Sequence, residues 1–126
     1  MNTDSSSLVD SGLSQAVLGA FYSVYRDLGY GFLEAVYERA LVVALTDAGL
    51  VARRQVPIGV RFRGVPVGHY RADVLVADRL LVEVKSATML VPAHDAQLLN
   101  YLRATGIRLG LLLNFGPRPQ FRRKIH

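Results

Sequence analysis

The sequence predicts an α/β fold in which helices cover a sheet of strands, and two observations carry the prediction. Near residue 58 the apolar residues change from the three-and-four spacing of a helix to strict alternation, which is typical of a half-buried strand. Later, a helical pattern is followed by an unbroken apolar run over residues 109–115, which is typical of a strand buried on both faces. The predicted order is helix, helix, three strands, helix and strand.

The N-terminal part is predicted to form a helical hairpin. Residues 1–13 are expected to be a flexible N-terminus, and residues 14–126 a single domain. From Ser14 to Leu28 apolar residues recur at helical spacing, and the glycines that follow end this helix. A second apolar stripe runs from Leu33 to Leu45 and stops at Gly49, a residue type that often ends helices.

The remaining elements are predicted to be a three-stranded meander, a crossover helix and a returning strand. The alternating residues 58–62 form the first strand, residues 65–76 the second and residues 80–85 the third. Pro92 suits the first turn of a helix that extends to Thr105 and ends at Gly106. The basic tail has three open interpretations, namely an edge strand, a nucleic-acid contact and a solvated end, and its charges are Arg122, Arg123 and Lys124.

Composition limits the function classes. The chain has 126 residues and no cysteine, which excludes a disulfide scaffold, a thiol nucleophile and a zinc ribbon. Its three histidines are far apart in sequence, so any metal would be bound by oxygen atoms. Neither a secretory signal nor an apolar stretch of about 20 residues is present, so we expect a cytoplasmic protein without a membrane partner. The net charge of +5 favours a nucleic-acid partner without establishing one.

Two carboxylates and a lysine fall on facing strands of the meander. If the second turn has three residues, Val76 pairs with Leu80, and counting back places Asp73 against Glu83. Side chains so paired have Cβ atoms roughly 5 Å apart, and Lys85 shares their face. The carboxylates repel unless Lys85 or a cation compensates, and Mg²⁺ binds one or two carboxylates together with water and phosphate. The residues alone leave a metal site and a cross-strand salt-bridge cluster as alternatives.

Lys85 is one of only two lysines among the fifteen basic residues. A lysine ammonium is compact and its pKa responds to its surroundings, whereas a guanidinium stays charged. Lys85 is therefore suited to orient or stabilise an attacking hydroxide.

This pattern, Asp, nine intervening residues and Glu-Val-Lys, resembles the active-site signature of the PD-(D/E)XK nuclease superfamily. More specifically, the chain resembles a small bacterial family named for a Gly-x-x-Glu-x-x-Tyr motif, here Gly31-Phe-Leu-Glu34-Ala-Val-Tyr37. The similarity covers about residues 14–125 and continues through segments 55–58, 68–76, 81–85, 94–106 and 110–116. One departure is Tyr25, because such relatives often carry histidine at that position.

The resemblance implies a PD-(D/E)XK nuclease-like core of one helix, three antiparallel strands, a crossover helix and a strand. It implies that Mg²⁺ or Mn²⁺ is held by Asp73, Glu83 and the backbone carbonyl of Val84. Lys85 would then assist hydroxide attack, and Glu34 would add a carboxylate to the metal site.

Three further residues are candidates for substrate contact. Gln97 and Tyr101 resemble a Gln-x-x-x-Tyr motif of related nucleases, although with His94 they could instead form a polar helix rim. Arg71 could bind phosphate or pair with Asp73. Glu34 could simply favour the start of its helix through the helix dipole, and Glu38 is expected to be solvated.

The resulting prediction is metal-dependent phosphodiester hydrolysis of nucleic acid, with DNA favoured over RNA. The alternatives are a non-catalytic member of the fold that binds nucleic acid or protein, and a dimeric junction-resolving enzyme. Because no separate recognition module is found in the sequence, we expect weak sequence specificity or a protein partner that supplies it. The oligomeric state is open, and a homodimer would enlarge the footprint of so small a domain.

Overall fold

The computed structural model describes residues 10–126, and that part of the chain contains three helices and five strands. In chain order they are α1 (Ser11–Leu28), α2 (Glu34–Asp47), β1 (Ala52–Phe62), β2 (Val65–Val76), β3 (Leu80–Lys85), α3 (Pro92–Thr105), β4 (Leu109–Phe115) and β5 (Pro119–Ile125). This order confirms the predicted α/β fold class, including the helical hairpin, the meander and the crossover helix.

The five strands form one sheet in the order β1-β2-β3-β4-β5. All neighbouring strands are antiparallel except β3 and β4, which are parallel and are joined by α3. Parallel neighbours need such a crossover because a tight turn cannot reverse the chain direction twice. The basic tail is β5, paired with β4 along its whole length, so the edge-strand interpretation is confirmed and the solvated end is wrong.

The sheet separates two hydrophobic clusters. On one face α1 and α2 cover the sheet, with Phe21, Tyr37 and Leu41 fully buried. On the other face α3 packs through Leu98 and Leu102. The strand β4 contributes to both clusters and is buried throughout, as its unbroken apolar run predicts.

Two element boundaries differ from the prediction. Helix α1 begins at Ser11 rather than Ser14, because Leu13 is buried in the core and extends the helix. Residues 1–9 of the predicted flexible segment lie outside the described residues. Strand β1 begins at Ala52, six residues earlier than predicted, because the backbone pairing to β2 continues where apolar alternation does not.

The β1–β2 hairpin is longer than the strand beside it. Strand β3 pairs only with the last three residues of β2, Val74 to Val76. Residues 59–70, here named the hairpin arm, therefore continue as a two-stranded ribbon, and most of its residues are exposed. Helix α3 lies next to this arm, where Tyr70 and Tyr101 have ring centroids 5.7 Å apart.

Two polar side chains connect the C-terminal end of β4 to other elements. The Tyr25 hydroxyl on α1 donates to the carbonyls of Gly116 (2.7 Å) and Pro117 (3.0 Å). Asn114 is fully buried, accepts the N–H of Ala87 at its Oδ1 (2.9 Å) and donates from its Nδ2 to the Ala87 carbonyl (3.0 Å). Asn114 thereby secures the loop that follows β3. Within residues 10–126 we find no helix with the length and apolar character of a membrane span.

Candidate active site

Asp73 and Glu83 lie side by side where β2 and β3 separate. The predicted register is confirmed by the pairs Val76–Leu80 and Leu75–Leu81, but the ladder ends at Val74 and Val82. Beyond that point the carboxylates replace the ladder: the Asp73 N–H donates to Glu83 Oε2 (2.9 Å), and the Val84 N–H donates to Asp73 Oδ2 (2.8 Å). The two carboxylates are neighbours, as the count along the strands predicts, although the contact runs through side chains.

An irregularity in β1 and β2 explains why the ladder ends there. Residues two apart on a regular strand share a face, yet Ala72 packs with the α3 cluster and Val74 with the cluster under α1 and α2. Opposite this break, Gln55 has a positive φ of 53° and is skipped in the register between Arg54 and Val56. The distortion releases backbone N–H groups from sheet pairing, and strained backbone of this kind is concentrated at functional sites.

Burial makes both carboxylates difficult to ionise in the protein without a cation. Glu83 is only 2% exposed. Burial raises the pKa of Glu83 to about 8, and the charge of Asp73 acts in the same direction. Burial also raises the pKa of Asp73 to about 6, although the Val84 hydrogen bond and the Lys85 charge oppose that rise. Two such groups titrate as a pair and share a proton near neutral pH.

Lys85 connects this pair to helix α3. Its Nζ donates to Gln97 Oε1 (2.9 Å), and Gln97 Nε2 donates to the Tyr101 hydroxyl (3.1 Å). Burial raises the pKa of Tyr101, and the nearby charge of Glu83 adds to the effect. Among the ion pairs between residues 10 and 126, none joins Lys85 to a carboxylate. The arrangement therefore differs from the salt-bridge cluster that the sequence left open.

Helix α2 contributes two further carboxylates, of which the sequence analysis found one. Glu34 Oε2 accepts the N–H of Ser86, the residue after Lys85, at 3.3 Å. Glu38 was expected to be solvated, but it is 4% exposed, and its Oε1 accepts from Arg54 (3.0 Å) and Gln55 (2.8 Å). The available signal was spacing, since residues four apart lie on one helix face and Glu38 therefore follows Glu34 towards the sheet.

Two of the polar candidates lie apart from this group or have another explanation. Tyr70 and Ala72 lie on the α3 side of β2, so Arg71 between them is on the opposite face, where it donates to the Gln55 carbonyl (3.3 Å). Arg71 is thus not brought together with Gln97 and Tyr101. His94 accepts the N–H of Val91 at its Nδ1 (3.1 Å), which caps the start of α3.

The donor set fits a hard divalent cation bound by two carboxylates. One oxygen of Asp73 and one of Glu83 accept backbone N–H groups, and the other oxygen of each has no donor within the described part of the chain. Mg²⁺ needs only one or two carboxylates when water and phosphate complete its shell. No three Asp, Glu or His side chains among residues 10–126 form a common ligand group, so Glu34 is not gathered with this pair as a third ligand.

A mixed sheet brings the buried Glu83, the half-buried Asp73 and Lys85 together where a meander opens, which defines a class of α/β domains with a carboxylate pair on the central strands. Comparison with protein families makes the assignment specific: the family model described as the PD-(D/E)XK nuclease superfamily matches residues 11–124. The chain belongs to this superfamily. Its nucleases generally use divalent metal ions, and membership supports cleavage of nucleic acid.

Two of the similar solved structures are SSO0001 and Hjc. The chain is similar to SSO0001, with 20% identity and a TM-score of 0.57 over 72% of this chain and 48% of that one. It spans about half the length of SSO0001, and the likeness shows the fold. It is also similar to Hjc, a Holliday junction resolvase from the archaeal hyperthermophile Archaeoglobus fulgidus, with 26% identity and a TM-score of 0.43 over 71% of this chain and 73% of that one. Among curated proteins, no sequence matches.

Proposed function

We propose that this protein hydrolyses phosphodiester bonds of nucleic acid, DNA in preference to RNA, with Mg²⁺ or Mn²⁺ held by Asp73 and Glu83. The observation that carries the proposal is the carboxylate pair of the buried Glu83 and the half-buried Asp73, in which each group keeps one oxygen without a donor in the described chain, next to the Lys85 ammonium. A pair of this kind is costly to bury without a cation, since both burial and mutual repulsion oppose its ionisation.

The cation, when bound, supplies positive charge that polarises the phosphate and lowers the pKa of a water molecule. Asp73 and Glu83 offer carboxylate oxygens to it, and the backbone carbonyl of Val84 is a further proposed ligand. The Lys85 ammonium orients the attacking water and stabilises its developing negative charge. Gln97 holds that ammonium from α3, and the Tyr101 hydroxyl fixes the Gln97 amide in turn.

We also assign the chain to the Gly-x-x-Glu-x-x-Tyr family, and the contacts of Tyr37 support this. The Tyr37 hydroxyl donates to the Gly29 carbonyl (2.6 Å) and accepts the N–H of Phe32 (3.2 Å), so it closes the loop before α2. Gly31 in that loop has φ +116°, which only glycine adopts readily. The motif therefore positions Glu34, whose carboxylate holds the Ser86 N–H beside Lys85. A direct role of Glu34 at the metal stays a prediction.

The test is cleavage of single-stranded and duplex DNA and RNA by purified protein, with Mg²⁺ or Mn²⁺ against EDTA. We expect cutting that requires the metal and is abolished in Asp73→Asn and in Glu83→Gln. Asp78→Asn is the matched control, because Asp78 is an exposed carboxylate paired with Arg53 outside the site. Binding of nucleic acid without cutting in any metal would instead favour the non-catalytic alternative.

A further inference from the structure

A groove of about 790 Å³ lies between the hairpin arm and α3, beside the candidate active site. Val60 and Val67 line it on the arm together with Tyr70. Ala93, Ala96 and Ala104 line it on the helix. At 1.5 Å per residue the groove follows α3 for about 16 Å, and its volume is in the usual range of ligand sites.

Small residues keep this groove open. Ala93, Ala96 and Ala104 are exposed on one side of α3, where longer side chains would fill the space. On the facing strand Gly68 has no side chain, and the aromatic ring of Tyr70 stands beside it with half of the residue exposed. The result is an apolar concave surface with one accessible aromatic ring.

The charge along the groove is positive. Arg103 is its one charged lining residue, and it has no ion pair with any residue in 10–126; it only donates to Asn100 Oδ1 (3.3 Å). Neither Asp nor Glu lines the groove. An apolar channel with a free cation suits a ligand that has both a flat apolar part and an anionic part.

The groove is continuous with the candidate active site through one residue. Gln97 lines the groove and also accepts a hydrogen bond from the Lys85 ammonium at its Oε1. A ligand in the groove therefore lies against the same side chain that holds Lys85.

We propose that this groove binds an unpaired nucleotide of the substrate, with the base against Tyr70 and a phosphate near Arg103. The inference rests on the proposed function and makes it more specific, because the strand next to the scissile bond must be single or splayed. Bases in a duplex are stacked and paired, and their flat faces cannot enter an apolar groove. Aromatic rings in a positive groove are the usual means of binding single strands.

The test measures binding separately from cleavage. Fluorescence anisotropy in EDTA follows a labelled single-stranded DNA oligonucleotide and the same strand in a blunt duplex. Ala96→Leu fills the groove at an exposed helix position, and Ala16→Leu places the same side chain on exposed α1 as the control. Tyr70→Ala removes the ring, whereas Tyr70→Phe keeps it.

We expect Ala96→Leu and Tyr70→Ala to weaken single-strand binding by about tenfold or more, with a smaller effect on the duplex. Ala16→Leu should bind like the parent, and Tyr70→Phe should bind the single strand more tightly than Tyr70→Ala because it keeps the ring. The inference is overturned if both groove variants bind the single strand normally, or if they lose duplex and single strand equally. It is also overturned if sedimentation shows a dimer that Ala96→Leu dissociates, because a second copy would then occupy the groove.

Cleavage of the same oligonucleotide with Mn²⁺ separates the two proposals. If the parent binds through the groove but never cuts, the binding inference is supported and the proposed hydrolytic function is refuted. If the parent cuts while both groove variants bind normally, the hydrolytic function is supported and the groove inference is refuted.

Discussion

Lys85 is oriented by a neutral amide rather than by a carboxylate, so its positive charge is available to a reacting group. We expect Lys85→Ala to lower the cleavage rate by at least about 100-fold, the usual scale for losing a group that handles the reacting proton or charge. The fold should persist, because within residues 10–126 the side chain has a single hydrogen-bond partner, Gln97. Single-turnover cleavage with excess Mn²⁺ measures the effect.

Lys124→Ala is the matched control for this experiment, since it removes the other lysine of the chain, which lies on β5 and pairs with Asp95 instead of approaching Asp73 and Glu83. It should retain cleavage. Cutting that continues unchanged in Lys85→Ala would refute the assigned role.

Glu83 should make the cation-free protein less stable as pH rises. Burial raises the folded-state pKa of Glu83 from 4.5 to about 8, so the folded protein keeps a proton that the unfolded chain has lost. This stabilisation is complete below about pH 4.5 and disappears as pH rises through about 8. Each pKa unit corresponds to about 1.4 kcal/mol, and each kcal/mol to about 4 °C in Tm.

Thermal melts in EDTA between pH 5 and 8 test this expectation. The Tm of the parent should fall across the range, and Glu83→Gln, which does not titrate, should show a much smaller fall. Titrating groups away from the pair are common to both proteins and cancel in the comparison, whereas Asp73 titrates together with Glu83, so the difference between the curves reports the pair. Parallel curves would mean that Glu83 is ionised throughout.

At the scale of elements, β5 is attached by charges as well as by backbone pairing. Arg122 donates to Asp95 Oδ2, and Lys124 Nζ lies 3.1 Å from Asp95 Oδ1, so one carboxylate on α3 holds two residues of the edge strand. Burial opposes ionisation of Asp95, but hydrogen bonds from Lys124 and Arg122 outweigh it and lower its pKa. The basic tail thus has a structural function that its charge alone did not indicate.

Asp95→Asn should therefore destabilise the protein by about 1–2 kcal/mol, because two cations lose a mostly buried partner. Asp78→Asn removes an exposed pair of the same type and should cost about 0.5 kcal/mol or less. Urea unfolding at pH 7 measures both. Equal effects of the two substitutions would show that β5 is held by the backbone ladder alone.

Periodicity was sufficient to predict the helices, the meander and the buried strand β4, since each buries a regular face. It was not sufficient for the start of β1, where Arg53 and Arg54 continue the strand as polar residues that are partnered by Asp78 and Glu38. It also could not predict the break at Asp73, because two-residue alternation assumes a regular strand. Counting from the turn nevertheless placed Asp73 beside Glu83.

At the scale of the whole molecule, a bound cation should contribute to the free energy of unfolding. Mn²⁺ at about ten times its Kd should stabilise the parent by roughly 1.4 kcal/mol, or on the order of 5 °C, because only the folded chain presents both carboxylates together. Without metal at pH 8, Asp73→Asn should melt higher than the parent, since it removes repulsion and its amide oxygen can still accept the Val84 N–H.

Asp73→Asn should also lose most of the Mn²⁺ shift, whereas Asp47→Asn, at an exposed position near the end of α2, should keep it. Thermal melts with and without Mn²⁺ measure both effects. A parent without a metal shift, together with an Asp73→Asn variant that melts lower, would contradict the metal site.

Long-range arrangement accounts for what the sequence did not reveal at this scale. The groove arises because α3 crosses beside a hairpin arm that extends beyond the end of the β2–β3 pairing. No local sequence pattern encodes this difference in length. Glu38 is buried because Arg54 from another element reaches it. Arg71 is two residues from Asp73 and would share its face on a regular strand, but the break in β2 at Asp73 means that this spacing does not predict a shared face.

The Asn114 side chain should slow amide hydrogen exchange in the loop that follows Lys85. Because its amide hydrogen-bonds both the N–H and the carbonyl of Ala87, it satisfies the backbone of this residue as a neighbouring strand would in a sheet. The Ala87 amide hydrogen should exchange for deuterium as slowly as those of β3 itself, two residues past the end of that strand. The chain that carries Lys85 is thus flanked on both sides by protected backbone, so its ammonium is presented from a rigid base rather than from a fraying strand end.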